Sequence, residues 1–373
     1  MSNYIEYKDK IAFHPGYYIS EIIENSGLTQ EDFARRLGTT PKTISILISG
    51  SQNLSLDIAG KLSRMLGTSI EYWLNLQNKY DMLREEFILD SQLQDERRVF
   101  SFLDYRYFRD NFGLPAFSRN IPEQIRCLRE LLGIASLTVL EDECLAVSFR
   151  RSAGEQKAQN IARANAIVQL AVNKAVSIEC PKFNRKKFEK AANRAAEMTM
   201  DRTQFWEKVE KEFREAGVVL IVLPNLSCSK VNGATKRLNG KIMLMLTDRG
   251  GYEDILWFSL FHEIGHIING DLGITFGDDV EEDADCYAQN KLIPPEAYEQ
   301  FIRLNKYYTD ISIRSFAESI HRDPGIVLGR LLKEKRIAYT DQEIISRLRH
   351  KFIANMTENE TNHRLFDILD AEG

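Results

Sequence analysis

The stretch LTQEDFARRLGTTPKTISILISG, residues 28–50, predicts two short helices joined by a tight turn. Thr29 stands where a side chain caps a helix, and acidic residues follow in the first turn, where the helix dipole favours them. Gly38 and Thr39 are expected to form the turn after this helix. Thr40 followed by Pro41 opens the second helix, since proline at the first helical position loses no hydrogen bond.

The second of these helices has an apolar and a polar face. Ile44, Leu47 and Ile48 recur at helical spacing and are expected to face a core. The outward positions carry hydroxyls, a cation and an apolar group, with which a helix in the major groove reads base edges. Farther along, Ser55 is predicted to cap a helix whose first N–H groups grip a phosphate. The candidate DNA-binding residues are Thr40, Lys42, Thr43, Ser45, Ile46 and Ser55.

Composition sets limits on function. The chain is 43% hydrophobic and 28% charged, which excludes a wholly disordered or fibrous protein. The net charge is −5, so nucleic-acid binding has to be local; residues 28–66 hold five basic and three acidic residues. Apolar runs are too short to cross a membrane, and the first ten residues do not form a secretory signal. Five widely spaced cysteines without a C-x-x-C pair favour a reducing cytoplasm.

Residues 28–66 resemble the XRE-type (Cro/repressor) helix-turn-helix. The longer set of motifs resembles HigA-type antitoxins and covers about 70 residues. The resemblance implies binding to double-stranded operator DNA as a homodimer and autorepression of a toxin–antitoxin pair. The chain differs in being much longer than a simple antitoxin, and it has Ser51-Gln52-Asn53 where many relatives carry a basic residue. The motifs are His14-Pro15-Gly16, Leu28-Thr29-Gln30, Ile44-Ser45, Gly50 and Trp73-Leu74-Asn75-Leu76-Gln77.

A second motif, His262-Glu263-Ile264-Gly265-His266, falls in a helix predicted over residues 253–268. The spacing of four places both imidazoles on one helix face, one turn apart, where two nitrogens can hold the same metal ion. Glu263 lies about 100° farther around the helix. That position suits a general base acting on a water molecule. The motif therefore predicts a Zn²⁺ site with Glu263 as the catalytic residue.

A catalytic zinc needs a third protein ligand. The acidic helix predicted from Val280 offers Glu281, and Asp285 one turn later can bond the second nitrogen of a ligand histidine. Glu282 and His321 are the weaker alternatives for the third ligand.

Residues 185–337 resemble the ImmA/IrrE metallopeptidase family. The resemblance implies a zincin-like fold, zinc held by His262, His266 and Glu281, and Glu263 as the base. Some family members cut helix-turn-helix repressors. Tyr287 departs from the more usual phenylalanine. The matching motifs are Asn232-Gly233-Ala234-Thr235, Trp257–Glu263, Glu281-x-x-Ala284-Asp285-x-Tyr287-Ala288 and Pro324-Gly325-Ile326-Val327-x-Gly329-Arg330-Leu331.

The predicted fold class is a multidomain chain, with a mainly α N-terminal helix-turn-helix and an α+β zincin-like C-terminal domain. The domains are a helix-turn-helix domain at 1–80, a mainly helical connector at 81–184, a zinc peptidase domain at 185–340 and a tail at 341–373. Residues 137–149 are expected to supply strands. The strand at 242–247 is expected to form a sheet edge that holds substrate.

Two functions remain open. In the first, the chain is a DNA-binding regulator or HigA-like antitoxin that carries a zinc-metallopeptidase domain. In the second, it is an active zinc metalloendopeptidase that its helix-turn-helix directs to a repressor or partner protein. Both functions predict operator DNA and a toxin or repressor protein as partners. Neither predicts binding to a membrane.

Overall fold

The computed structural model describes residues 3–142, 155–201, 205–270 and 278–354. The chain forms two compact units, residues 1–95 and 96–373. Helices predominate, and two small sheets accompany them, which confirms a mainly helical multidomain chain. In the described ranges no helix is long and apolar enough to span a membrane. The domain boundaries at 80, 184 and 340 stay predictions.

The first unit opens with a β-hairpin and continues as a helical domain. Its elements are β1 (Tyr4–Tyr7), β2 (Lys10–Phe13), α1 (Pro15–Ser26), α2 (Gln30–Leu37), α3 (Pro41–Ile48), α4 (Leu56–Leu66) and most of α5 (Ile70–Phe100). The predicted caps are confirmed: the side chains of Thr29, Thr40 and Ser55 each accept a hydrogen bond from the N–H three residues on. Phe33 and Ile44 lie fully buried between these helices, so the tight turn after α2 brings two apolar faces together.

Two motifs outside the helix-turn-helix close this core. His14 caps α1 by accepting a hydrogen bond from the N–H of Gly16 at 3.0 Å. A Cβ atom on Gly16 would overlap the carbonyl of Leu47, so α1 can pack on the end of α3 only with glycine there. In α5, Trp73 is 1% exposed, and Gln77 Oε1 accepts a hydrogen bond from the buried N–H of Leu54 at 2.8 Å.

The second unit is an α+β assembly. Its helices are α6 (Tyr105–Phe112), α7 (Ile121–Leu132), α8 (Glu155–Ser177), α9 (Arg185–Glu197), α10 (Phe205–Glu215), α11 (Glu253–Asn269), α12 (Asp278–Leu292), α13 (Pro295–Leu304), α14 (Asp310–Ser319), α15 (Pro324–Lys333) and α16 (Gln342–Leu348). Its strands are β3 (Val218–Leu223), β4 (Gly233–Leu238) and β5 (Lys241–Thr247).

The strands expected over 137–149 are wrong where they can be checked. Residues Leu137–Glu141 form a 3-10 helix, because Leu137 and Leu140, three residues apart, are both buried on one side. Residues 143–149 lie outside the described residues.

The sheet has the order β3-β5-β4. β5 pairs with β3 in parallel and with β4 antiparallel, so both of its sides are hydrogen-bonded. The prediction that residues 242–247 form a sheet edge is therefore wrong, and β3 and β4 are the outer strands within the part of the chain that the structure describes. In the chain, β4 lies between the two parallel strands β3 and β5. In the sheet, it takes the outer position beside β5.

Both faces of this sheet are covered, which explains why β3 is buried at every position. Alternate residues point to opposite faces. Val218 and Leu220, the first and third residues of β3, join one core with Trp257 and Phe261 of α11. Helix α8 packs against the same strands and covers the other face. The helix with the two predicted metal-ligating histidines is thus fixed against the sheet.

Candidate functional site

The polar face of α3 is open to solvent. Lys42 and Ser45 are exposed and Ile46 is half-buried, whereas Ile44 and Leu47 are buried beneath them. The amphipathic division predicted for this helix is confirmed. This surface offers a cation, a hydroxyl and an apolar group on one short helix, which fits direct reading of a major groove.

Three of the candidate DNA-binding hydroxyls have structural partners. Thr40 Oγ1 accepts from the N–H of Thr43 at 3.2 Å and lies 2.9 Å from the Thr43 hydroxyl. Ser55 Oγ accepts from the N–H of Ile58 at 3.3 Å. Lys61 Nζ donates to the carbonyl of Gly38, which ties α4 to the turn between α2 and α3. Thr40 and Ser55 therefore stabilise the helix starts by bonding backbone N–H groups. Lys42 and Ser45 are exposed, and their side chains are better placed to contact DNA.

In the second unit, the histidines of the motif converge. His262 and His266 lie one turn apart on α11, and their Nε2 atoms are 3.1 Å from each other. The imidazole rings meet edge to face with centroids 4.7 Å apart. His266 is almost completely buried, and His262 retains a small exposed fraction. The two Nε2 atoms are therefore within hydrogen-bond distance of each other, on the side of α11 where His262 is partly exposed.

Asp285 orients the first histidine. Its Oδ1 lies 2.8 Å from His262 Nδ1, so the ring donates its Nδ1 proton there and keeps the lone pair on Nε2. Asp285 Oδ2 accepts from Lys333 Nζ at 3.3 Å. Burial would raise the pKa of Asp285, but its bonds with His262 and Lys333 outweigh burial and lower it. Asp285 is thus an ionised acceptor for the histidine.

This donor pair fits zinc. Zinc–nitrogen bonds of about 2.0–2.1 Å in a tetrahedron place two ligand nitrogens about 3.3 Å apart. The observed separation of 3.1 Å is close to that value. Neutral imidazole with its other nitrogen bonded to a carboxylate is also the usual form of a zinc-ligating histidine.

The third predicted ligand, Glu281, belongs to α12, but its side chain lies outside the described residues. Within the described side chains, no set of three histidines, cysteines or acids able to hold a metal occurs. The backbone nevertheless brings α12 close to α11, because a Cβ on Gly265 would lie 3.2 Å from the Cα of Ala284. Of the alternative ligands, Glu282 is exposed and His321 lies in the turn after α14.

Glu263 lies beside the histidines, against the start of β4. It is buried, and a Cβ on Gly233 would come within 2.6 Å of its Cγ and 2.8 Å of its Oε1. Gly233 therefore gives the carboxylate room at the edge strand. The carboxylate thus lies buried between the histidine helix and the start of β4.

Lys333, Asp254 and Arg349 also belong to this region, although no sequence motif indicated them. Lys333 Nζ lies 4.1 Å above the Phe258 ring and bonds Asp285. Asp254, in the first turn of α11, forms a bidentate buried ion pair with Arg349. No local pattern signals pairs separated by 48 and 95 residues. Gly329 is a sequence feature related to this packing, because the absence of a side chain at this position makes room for Asp254.

Comparison with known proteins places the first unit in a family. A family model described as helix-turn-helix matches residues 19–73. The uncharacterized HTH-type transcriptional regulator YddM of Escherichia coli K12 is 36% identical over 83 residues, which are 22% of this chain and 88% of that protein. Antitoxin HigA-1 of Vibrio cholerae is 37% identical over 62 residues, 17% of this chain and 58% of that protein.

A solved structure gives a further match. An addiction module antidote protein of a HigA family from Coxiella burnetii is 24% identical, covering 23% of this chain and 91% of its own, with a TM-score of 0.20. The matched family model begins in α1 and ends at Trp73 of α5, the segment whose caps, core and open helix face are described above. The predicted XRE-type, HigA-like N-terminal domain is confirmed. Through this domain, the chain belongs to the helix-turn-helix family of transcriptional regulators.

Proposed function

We propose that this protein is an operator-binding regulator of the HigA antitoxin kind whose second unit is a zincin-like zinc peptidase domain of the ImmA/IrrE type. The supporting observation is the joint geometry of α11: two imidazole Nε2 atoms 3.1 Å apart, with an aspartate on the outer nitrogen of one. The similarity to antitoxins and the open face of α3 support the regulatory half.

On DNA, α3 would lie in the major groove of an operator half-site, and a homodimer would read two half-sites. Lys42 would contact a phosphate or base edge, and Ser45 and Ile46 would contact neighbouring bases. Lys42→Ala should weaken binding to the chain's own promoter by about 1–3 kcal/mol. Lys79→Ala, an exposed lysine on α5, is the matched control. Fluorescence anisotropy at several salt concentrations measures both. Equal affinity of wild type and Lys42→Ala would reject this orientation of α3.

In the second unit, His262 and His266 would hold Zn²⁺ together with Glu281. Zinc, when bound, would supply Lewis acidity toward a peptide carbonyl. Glu263 would take the proton of the attacking water on its carboxylate and later deliver it to the leaving amine. Asp285 keeps the Nδ1 proton of His262 in place. An extended peptide would pair with the edge strand β4, next to Glu263.

The decisive experiment compares Glu263→Gln with Glu282→Gln, an exposed glutamate on α12. Glu263→Gln keeps the size of the side chain and removes the base. It should retain zinc, as measured by metal analysis, and lose cleavage of a partner toxin or repressor. Glu282→Gln should retain both. His262→Ala should lose the zinc. Full zinc occupancy in a His262→Ala, His266→Ala double variant would reject the site.

The second candidate function is that of an active metalloendopeptidase that its helix-turn-helix directs to a repressor. The position of Glu263 beside His262 and against Gly233 of β4 favours it. The same variant separates the two. If proteolysis is the main role, Glu263→Gln should bind the promoter and fail to derepress. If repression is the main role, Glu263→Gln should repress and neutralise its toxin as wild type does.

A further inference from the structure

A pocket of about 430 Å³ lies in the second unit, away from the motifs that the proposed function uses. It is bounded by the end of α5, the first turns of α6 and the loop that leads to α7. Its volume is in the range of small-molecule sites. The lining combines arginines, aromatic rings and a few side chains that form hydrogen bonds.

The pocket is positively charged. Arg106, Arg109 and Arg119 line it, against the single carboxylate of Asp104. Asp104 is already engaged, because it caps α6 by accepting from the N–H of Arg106 at 3.0 Å. Arg109 bonds Asp110 through Nε, which leaves its terminal nitrogens available. Among the described residues, Arg106 and Arg119 form no direct ion pair, although the pKa of Asp110 is lowered by its bond with Arg109 and by the nearby charge of Arg106. Guanidinium groups arranged in this way suit a phosphate, which they bind with paired N–H donors.

The aromatic side chains of the pocket differ from those of the core. In the aromatic run from Phe100 to Phe112, Phe102 and Phe108 are buried in the core. Phe100 and Tyr105 instead line the pocket, with ring centroids 6.3 Å apart. Phe117, from the opposite loop, supplies a third ring. Rings that are only partly buried in a polar pocket provide faces on which a nucleobase stacks.

Two side chains hold the loop in this shape. The Tyr105 hydroxyl donates to the carbonyl of Pro115 at 2.9 Å, and Gln124 Nε2 donates to the carbonyl of Phe117. Both anchors stand on helices. The pocket is therefore formed before a ligand enters, which reduces the entropy lost on binding.

We propose that this pocket binds a nucleoside monophosphate. The base would stack on Phe117 and Tyr105, and the phosphate would be held by Arg106 and Arg119. The volume is sufficient for one nucleotide. This site is independent of the proposed zinc and operator sites, so neither of those proposals is needed for it.

Isothermal titration calorimetry of the full chain with AMP, GMP, CMP and UMP tests the proposal. At least one nucleotide should bind once per chain with a Kd below about 1 mM. It should bind about tenfold more tightly than its nucleoside and than ribose 5-phosphate, because each of these lacks half of the contacts. Arg106→Ala and Arg119→Ala should each weaken binding about tenfold, and Phe117→Leu should also weaken it. Arg126→Ala is the control, since Arg126 is paired on α7 outside the pocket.

Three results would overturn the proposal. The first is the absence of saturable heat with all four nucleotides. The second is equal affinity of wild type and both arginine variants, whose circular dichroism shows that they are folded. The third is a single-stranded oligonucleotide that binds through Arg106 and Arg119 far more tightly than any mononucleotide, which would make the pocket part of a nucleic-acid surface.

Discussion

Arg349 and Asp254 form a buried ion pair at the start of the helix that carries His262 and Glu263. Arg349 Nε and Nη2 donate to the two carboxylate oxygens at 2.7 and 2.9 Å. The side chains are 8% and 6% exposed, and the guanidinium lies 4.0 Å above the Tyr252 ring. The pair therefore joins the last described segment of the chain to the first turn of α11.

Arg349→Met should destabilise the second unit by about 3–5 kcal/mol, because removing one partner leaves an uncompensated buried charge. In a unit of this size each kcal/mol lowers the Tm by about 2–4 °C, so the Tm should fall by at least about 6 °C. The double variant Asp254→Leu, Arg349→Met should recover most of the loss. Replacing both partners of a buried pair with apolar residues is often neutral.

The loss should also depend on pH. Burial raises the pKa of Asp254, and the Arg349 guanidinium opposes that rise. Without Arg349 the folded-state pKa lies even further above the unfolded value. At a pH where Asp254 is protonated in both the folded and the unfolded state, its burial does not reduce the free energy of unfolding through ionisation. The loss of stability grows as the pH rises from the unfolded-state pKa to the folded-state pKa. The difference between wild type and Arg349→Met should therefore be smaller at about pH 5 than at about pH 8.

Scanning calorimetry at both pH values measures these differences. Arg347→Met is the control, since Arg347 forms an exposed pair with Glu343 and should cost at most about 1 kcal/mol. A loss in Arg349→Met no greater than that of the control would refute the reasoning. So would a large loss that does not change with pH.

Three further predictions concern the first unit. Gly16→Ala should cost at least about 1–3 kcal/mol in thermal unfolding, because its methyl group overlaps the Leu47 carbonyl; an unchanged Tm would contradict this. Gln77→Leu should cost about 1–3 kcal/mol in urea unfolding, because the buried N–H of Leu54 loses its acceptor; a neutral result would mean that the N–H finds another. Burial lowers the pKa of His14 in the folded state below its ordinary value of 6.5. At a pH below 6.5 the unfolded state therefore binds more protons than the folded state, and the free energy of unfolding should decrease as the pH falls below 6.5. His14→Gln should lack this slope, and an identical slope in both proteins would assign it elsewhere.

Local patterns predicted the helix-turn-helix well, because its helices begin and end at side chains that act on nearby backbone. Thr29, Thr40 and Ser55 each bond an N–H three residues away, and such a contact can be read from sequence alone. The hairpin before α1 was not predicted. Its β2 alternates weakly, and Ile11 is exposed where an apolar residue would be expected to face a core.

Features that depend on contacts between residues far apart in the chain could not be predicted from the sequence. Nothing near residues 242–247 indicates that β4, which precedes β5 in the chain, takes the edge of the sheet. The spacing of His262 and His266 did predict their convergence, because four residues make about one helical turn. Asp285 was predicted to bond a ligand histidine because it lies one turn after Glu281 on the acidic helix, and it lies beside His262 in the structure. The positions of Lys333 and Arg349 follow from the packing of α15 and of the segment after α16.

Three glycines explain how α11 can be enclosed so closely. Gly265 admits α12 at Ala284, Gly233 of β4 admits the Glu263 side chain, and Gly329 of α15 admits Asp254. Each removes a side chain where a neighbouring element meets α11 from a different direction. The helix is therefore held in position by protein contacts. The zinc proposed for His262 and His266 would therefore bind to a helix that is already in position, and its binding free energy would do little folding work.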